Sequence, residues 1–147
     1  MKTPLLIVIV VVVLIVAAFI FLRSRVAESG THAEMAARLA KLKQDTDPKA
    51  FLGFCTRDED ALYFVYQKGV FLLDYELTTP EKKSHAGAFR KTAADLGFAV
   101  IDTTYYGEFP LLRVETGTSE ARAAEVGFLF AQRLFGHDQK TVVEFLP

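Results

Sequence analysis

Residues 61–76, ALYFVYQKGVFLLDYE, decide the fold. Two runs rich in Tyr, Phe, Val and Leu, 61–67 and 70–76, stand on either side of Lys68-Gly69. Glycine reaches positive φ without steric cost, so a two-residue connection between such runs predicts a β-hairpin. Thr79-Pro80-Glu81 then opens a helix: Pro80 fits the first helical position, where its missing N–H is no loss, and Gly97 fits the left-handed closing position. Ala86, Phe89, Ala93 and Leu96 supply its inward face.

Further along the chain the same unit recurs. Laying 72–97 on 111–136, an offset of 39 residues without gaps, superposes Leu72/Leu111, Leu73/Leu112, Glu76/Glu115, Thr79/Thr118, Glu81/Glu120, Phe89/Phe128 and Gly97/Gly136. The coincidences fall on equivalent cues, namely a strand, a Thr-led helix start, a central Phe and a closing Gly. The second copy has strands at 98–105 and 111–116, joined through Gly107-Glu108-Phe109-Pro110. A helix capped by Thr118 or Ser119 runs to about Phe135, with Ala121, Ala124, Phe128, Ala131 and Phe135 as its buried stripe, widened by Leu129, Phe130 and Leu134. Gly127 in that helix costs about 1 kcal/mol relative to Ala and points to close approach of a neighbouring element. Residues 141–146 supply a last strand and 51–55 a first. The fold class is α+β: a small antiparallel sheet with two helices on one face, built as a pseudo-duplicated hairpin-plus-helix unit behind an N-terminal transmembrane helix.

Alternation along the strands assigns Leu62, Phe64, Tyr66, Phe71, Leu73, Tyr75, Ile101, Thr103, Tyr105, Leu112 and Val114 to the core. The opposite face carries Tyr63, Val65, Val70, Leu72 and Leu111 beside Asp74, Glu76, Asp102, Arg113 and Glu115. So mixed a face either docks a partner or lies under the helix at 32–44. That helix opens on Thr31-His32-Ala33-Glu34, a capping-box pattern, and shows a narrow stripe of Met35, Leu39 and Leu42.

Upstream, residues 5–22 are uninterrupted by charge, amide or glycine and end at Arg23-Ser24-Arg25. Eighteen residues rise roughly 27 Å as a helix, about one bilayer's hydrocarbon depth. The run is longer than a cleaved signal's apolar region and meets arginines where a cleavage site would lie, so it reads as a signal-anchor, spanning through Leu5, Val12 and Leu22. Arg23, Arg25, Arg38 and Lys41 outweigh Lys2, which places the domain in the cytoplasm. Three parts follow: an anchor with its basic flank (1–25), a juxtamembrane linker and amphipathic helix (26–48), and a globular domain (49–147).

After Ser29 the chain carries 14 basic and 17 acidic residues, which is no nucleic-acid footprint. Cys55 is the single cysteine, so there is no internal disulfide framework. His32, His85 and His137 have no metal-ligand spacing, no Gly-rich phosphate loop occurs, and 57–60 reads as a solvated acidic turn. Neither cofactor nor metal nor catalytic constellation is therefore expected. What remains is an interaction module that positions a protein partner, or a second copy of itself, at the membrane; the surface for it is Tyr63, Val65, Val70, Leu72, Leu111 and Arg113. The alternative is a small-ligand sensor or accessory domain using the loop of Tyr105, Tyr106 and Phe109.

Overall fold

The structure, a computed structural model, describes the backbone of residues 3–23 and 28–146 and the side chains of 7–18 and 28–146. Its elements are α1 (Thr3–Arg23), β1 (Glu28–Thr31), α2 (Met35–Gln44), β2 (Leu52–Cys55), β3 (Leu62–Gln67), β4 (Val70–Glu76), α3 (Pro80–Ser84), α4 (Ala86–Leu96), β5 (Ile101–Tyr105), β6 (Phe109–Gly117), α5 (Glu120–Phe135) and β7 (Val142–Leu146), with short 3₁₀ turns at His32–Glu34 and Asp58–Asp60. The protein is thus α+β, with seven strands ordered β1-β7-β2-β3-β4-β6-β5 and every pairing antiparallel.

Lys68 and Gly69 take φ of 52° and 81°, the mirror-image turn that matches the twist of the strands it joins. Thr79 caps α3 by accepting the Lys82 N–H at 3.2 Å, and Gly97 closes α4 at φ 80°. The expected single helix over this stretch is interrupted at His85, which ends α3 and leads into α4. In the second unit Ser119 is the cap, accepting the Arg122 N–H at 3.3 Å, and Gly136 closes α5 at φ 74°.

The helices gather on one face of the sheet, α5 touching both α2 and α4. Phe54, Phe64, Phe71, Leu73, Tyr75, Leu112 and Val114 meet Leu39, Phe89 and Phe130 in the core. Burying one such side chain is worth about 1.5–3 kcal/mol. Gly127 lies so close to the sheet that a Cβ there would stand 2.7 Å from Phe64 Cζ. The buried stripe of α5 is Ala123, Val126, Gly127, Phe130 and Ala131, about one residue round the helix from the expected one; Ala121 is exposed and Phe128 only half-buried. Met35, Leu39 and Leu42 are buried in the core, so α2 covers the helix side and not the opposite face. β1, unforeseen in the sequence, pairs with β7 along the sheet's edge.

One strand faces the other way from its expected parity. Gln67 pairs with Val70 across a two-residue turn, whereas Tyr105 pairs with Phe109 across three residues. That single extra residue shifts β5 by one against the repeat, and a one-residue shift moves every side chain to the other face. Ile101, Thr103 and Tyr105 therefore lie opposite the helices, Ile101 being exposed, while Asp102 sits on the helix side and bonds Arg90 of α4 at 2.6 Å.

Thr3–Arg23 is helical, and Ile7 to Val16 are all exposed around it. Its side chains are described only over 7–18, so Leu5 and Leu22 lie outside the described side chains, and Ser24 and Arg25 outside the described residues. Among the described residues, no helix is long and apolar enough to cross a membrane.

Candidate functional site

The face opposite the helices is recessed. β3 provides Tyr63, Val65 and Gln67 as a floor, β4 contributes Glu76, and Tyr105, Tyr106 and Phe109 of the β5–β6 hairpin form one wall. Pro48, Lys49 and Phe51, from the connection between α2 and β2, form the other. The groove, open to solvent along one side, has a volume of about 510 Å³, in the range of small-ligand pockets. Tyr106 crowns the hairpin at φ 53°, 75% exposed, with Lys49 Nζ 5.8 Å from its ring centre. Phe51 stands edge-on to Tyr63 at 5.7 Å.

Beneath this groove lies a buried ion pair. Asp74 is fully buried and directly opposite Arg113 in the β4–β6 ladder. The guanidinium donates from Nε to Oδ1 at 2.7 Å and from Nη2 to Oδ2 at 2.8 Å, and the Tyr105 hydroxyl donates to the same carboxylate. The bidentate hydrogen bond raises the Arg113 pKa, and burial followed by the Asp74 charge drives the Tyr105 phenol up. Burial likewise pushes Tyr63 up to about 12 and raises Glu76, the latter opposed by Lys82. These phenols stay protonated at neutral pH and offer ring faces and O–H groups, not charge.

The residues expected on an interaction face separate into two sets. Val65, Leu72 and Leu111 are buried, Val65 alone of them lining the groove, whereas Tyr63, Val70 and Arg113 are half-buried. Tyr105, Tyr106 and Phe109, assigned from the sequence to a different kind of site, stand over the same face. The parity of β5 hid this convergence. One signal was available: Asp74 and Arg113 are equivalent positions of the repeat, and they carry opposite charge.

The three histidines are not all isolated. His137 Nε2 lies 2.9 Å from Asp60 Oδ2, and His137 Nδ1 lies 3.0 Å from His32 Nε2, all three residues being buried. The Asp60 carboxylate also accepts the Thr56 and Arg57 N–H groups at 2.8 and 2.9 Å and the Thr56 hydroxyl. Burial alone would raise this carboxyl, but the hydrogen bonds from His137, Thr56 and Arg57 outweigh it and hold Asp60 at about 2. Donor–acceptor matching then assigns the proton of His137 to Nε2 and makes its Nδ1 the acceptor for His32 Nε2–H. That leaves His32 Nδ1 buried without a partner, near the rings of Phe54 and Phe128. Burial, reinforced by His137, pushes His32 down to about 4.

The acidic turn at 57–60 is accordingly not wholly solvated, since Asp60 anchors this chain of hydrogen bonds. Cys55 is buried and free, and burial pushes its thiol up to about 11, well away from a reactive thiolate. Among the described residues no group of His, Cys, Asp and Glu could hold a metal ion. No family model matches the chain, and neither a curated protein nor a solved structure matches it.

Proposed function

We propose that this protein is a single-pass, membrane-anchored interaction module without enzymatic activity, whose open sheet face receives a segment of a protein partner on the cytoplasmic side. The observation that carries the reading is the groove of about 510 Å³, walled by the β5–β6 hairpin on a face that, among the described residues, no helix covers. Exposed aromatic rings at such a recess, Tyr106 at 75% and Phe109 at 47%, are the residue type that anchors partners. The anchor rests on the apolar run of 5–22 and on the helix Thr3–Arg23, whose described side chains bury no face against the domain. Orientation rests on the excess of Arg and Lys after the run.

The test places a photocrosslinking amino acid at Tyr106 of the full chain in its own membrane, with a control at exposed Arg122 on α5. A discrete adduct at 106, absent at 122 and lost on Phe109→Asp, is expected. Equal labelling at both positions, or none, overturns the reading. Carboxyl-terminal reporter fusions check orientation separately, with activity expected from the cytoplasmic reporter. A small-ligand role is the second reading, favoured by the groove's volume, and a low-molecular-weight competitor that abolishes the adduct would select it.

A further inference from the structure

We propose that the groove is a cation site, in which aromatic rings and the Glu76 carboxylate take up a basic side chain, Lys or Arg, of the partner segment. The proposal rests on the partner-docking reading above and names the chemistry that the groove selects. Five rings converge on it from three separate stretches of chain: Phe51, Tyr63, and Tyr105, Tyr106 and Phe109. An aromatic face carries the negative side of a quadrupole, and several faces around one volume attract an organic cation more than a neutral group of equal size. The protein already holds one cation in this way, since Lys49 Nζ stands 5.8 Å from the Tyr106 ring centre at the groove's edge.

Glu76 supplies the counter-charge. Its side chain is 25% exposed, and its nearest cation, Lys82 Nζ, lies 3.9 Å away and is shared with Asp58 at 3.7 Å. Neither contact is short enough for a hydrogen bond, and among the described residues none is donated to this carboxylate. Lys49 is the other charged residue lining the groove and offsets Glu76, so the selection rests on the ring faces and on a carboxylate that, among the described residues, accepts no hydrogen bond. The same face already seats one guanidinium on a carboxylate, Arg113 on Asp74, with the Tyr105 hydroxyl donating to that carboxylate. Asp74 is consumed by that pair, whereas Glu76 lines the groove. An anion would gain Lys49 alone, at the edge, against Glu76 and the ring faces. A partner segment fits better than a lipid headgroup because the groove also offers Gln67 and an apolar floor at Val65 for a flanking chain.

The test uses the full chain in maltoside micelles, which carry no cation, with 13C-labelled tyrosine rings followed by NMR. Tyr66 and Tyr75 pack on the helix side and serve as internal controls for the fold. Nα-acetyl-lysine methylamide should shift Tyr63, Tyr105 and Tyr106 in a saturable way, leaving Tyr66 and Tyr75 unmoved, and the norleucine analogue should not. Glu76→Gln and Tyr106→Leu should each weaken the lysine probe by about three- to tenfold. Equal responses to lysine and norleucine, or no response to either, would remove the cation site even where the Tyr106 adduct persists. Choline binding tenfold more tightly than lysine would assign the groove to a lipid headgroup and overturn the choice of a protein side chain. Loss of the adduct alongside a retained lysine response would instead count against the docking reading alone.

Discussion

Lowering the pH from 7 to 5 should destabilise the domain through His32, and the size of the effect follows from its surroundings. The folded state holds His32 at about 4, against an ordinary value of 6.5. The unfolded chain therefore binds a proton that the native state refuses, because a proton on Nδ1 would be buried without an acceptor. For a histidine whose folded pKa is depressed, stability is complete above 6.5 and falls away as the pH drops toward about 4. One unit of separation is worth about 1.4 kcal/mol, so the whole gap bounds the loss at about 3 kcal/mol, of which about 2 kcal/mol falls between pH 7 and pH 5. His32 is 7% exposed, which leaves little solvent screening to reduce this. The informative variant is His32→Gln, whose amide nitrogen reaches the place of Nε2 and can still donate to His137, but does not titrate. Urea unfolding of the full chain in maltoside micelles, followed by circular dichroism at both pH values, should show a drop in the wild type that the variant lacks. Contributions from groups that do not touch the His32 side chain are common to both proteins and cancel in the comparison. Parallel pH dependences in the two proteins would refute the reasoning.

Arg113→Ala leaves the Asp74 carboxylate fully buried with only the Tyr105 hydroxyl for company, and should cost about 3–5 kcal/mol of stability in the same unfolding assay; a loss under about 1 kcal/mol would mean that the pair is not formed. Gly127→Ala forces a methyl to within 2.7 Å of Phe64 and should destabilise by about 1–3 kcal/mol, whereas Gly87→Ala, where nothing stands within 4 Å, should be neutral or stabilising.

Local chemistry was legible wherever one stretch of chain settles its own conformation. The Lys68-Gly69 turn, the Thr79-Pro80 helix start and the glycines that close α4 and α5 could all be read directly. So could the close approach at Gly127, since a glycine inside a helix needs a reason. Parity along β5 could not, because it depends on whether a turn holds two residues or three, and Tyr106-Gly107-Glu108 gives no local sign of which residue starts the strand. The groove was lost with it, since Tyr105 had been turned toward the core. The chain of His32, His137 and Asp60 joins residues 77 and 105 positions apart, and no periodicity reports such a meeting. Phe51 and Lys49 reach the groove only through the path of the connection before β2, which propensity does not determine.

The edge position of β1 has a mechanical consequence. Any tension delivered through α1 enters the domain at Glu28, the first residue of a four-residue strand held on one side only, by β7. The load reaches the pair Glu28↔Phe145, and the Arg38 guanidinium 3.0 Å from Glu28, before it reaches Thr31↔Val142, so the strand can peel from its loaded end while β2, β3, β4 and β6, each flanked on both sides, stay in register. Next in line is His32, locked to His137 at the end of α5. β1 thus stands as a fuse between the N-terminal helix and the groove, able to yield under strain without deforming the rings of Tyr63 and Tyr106.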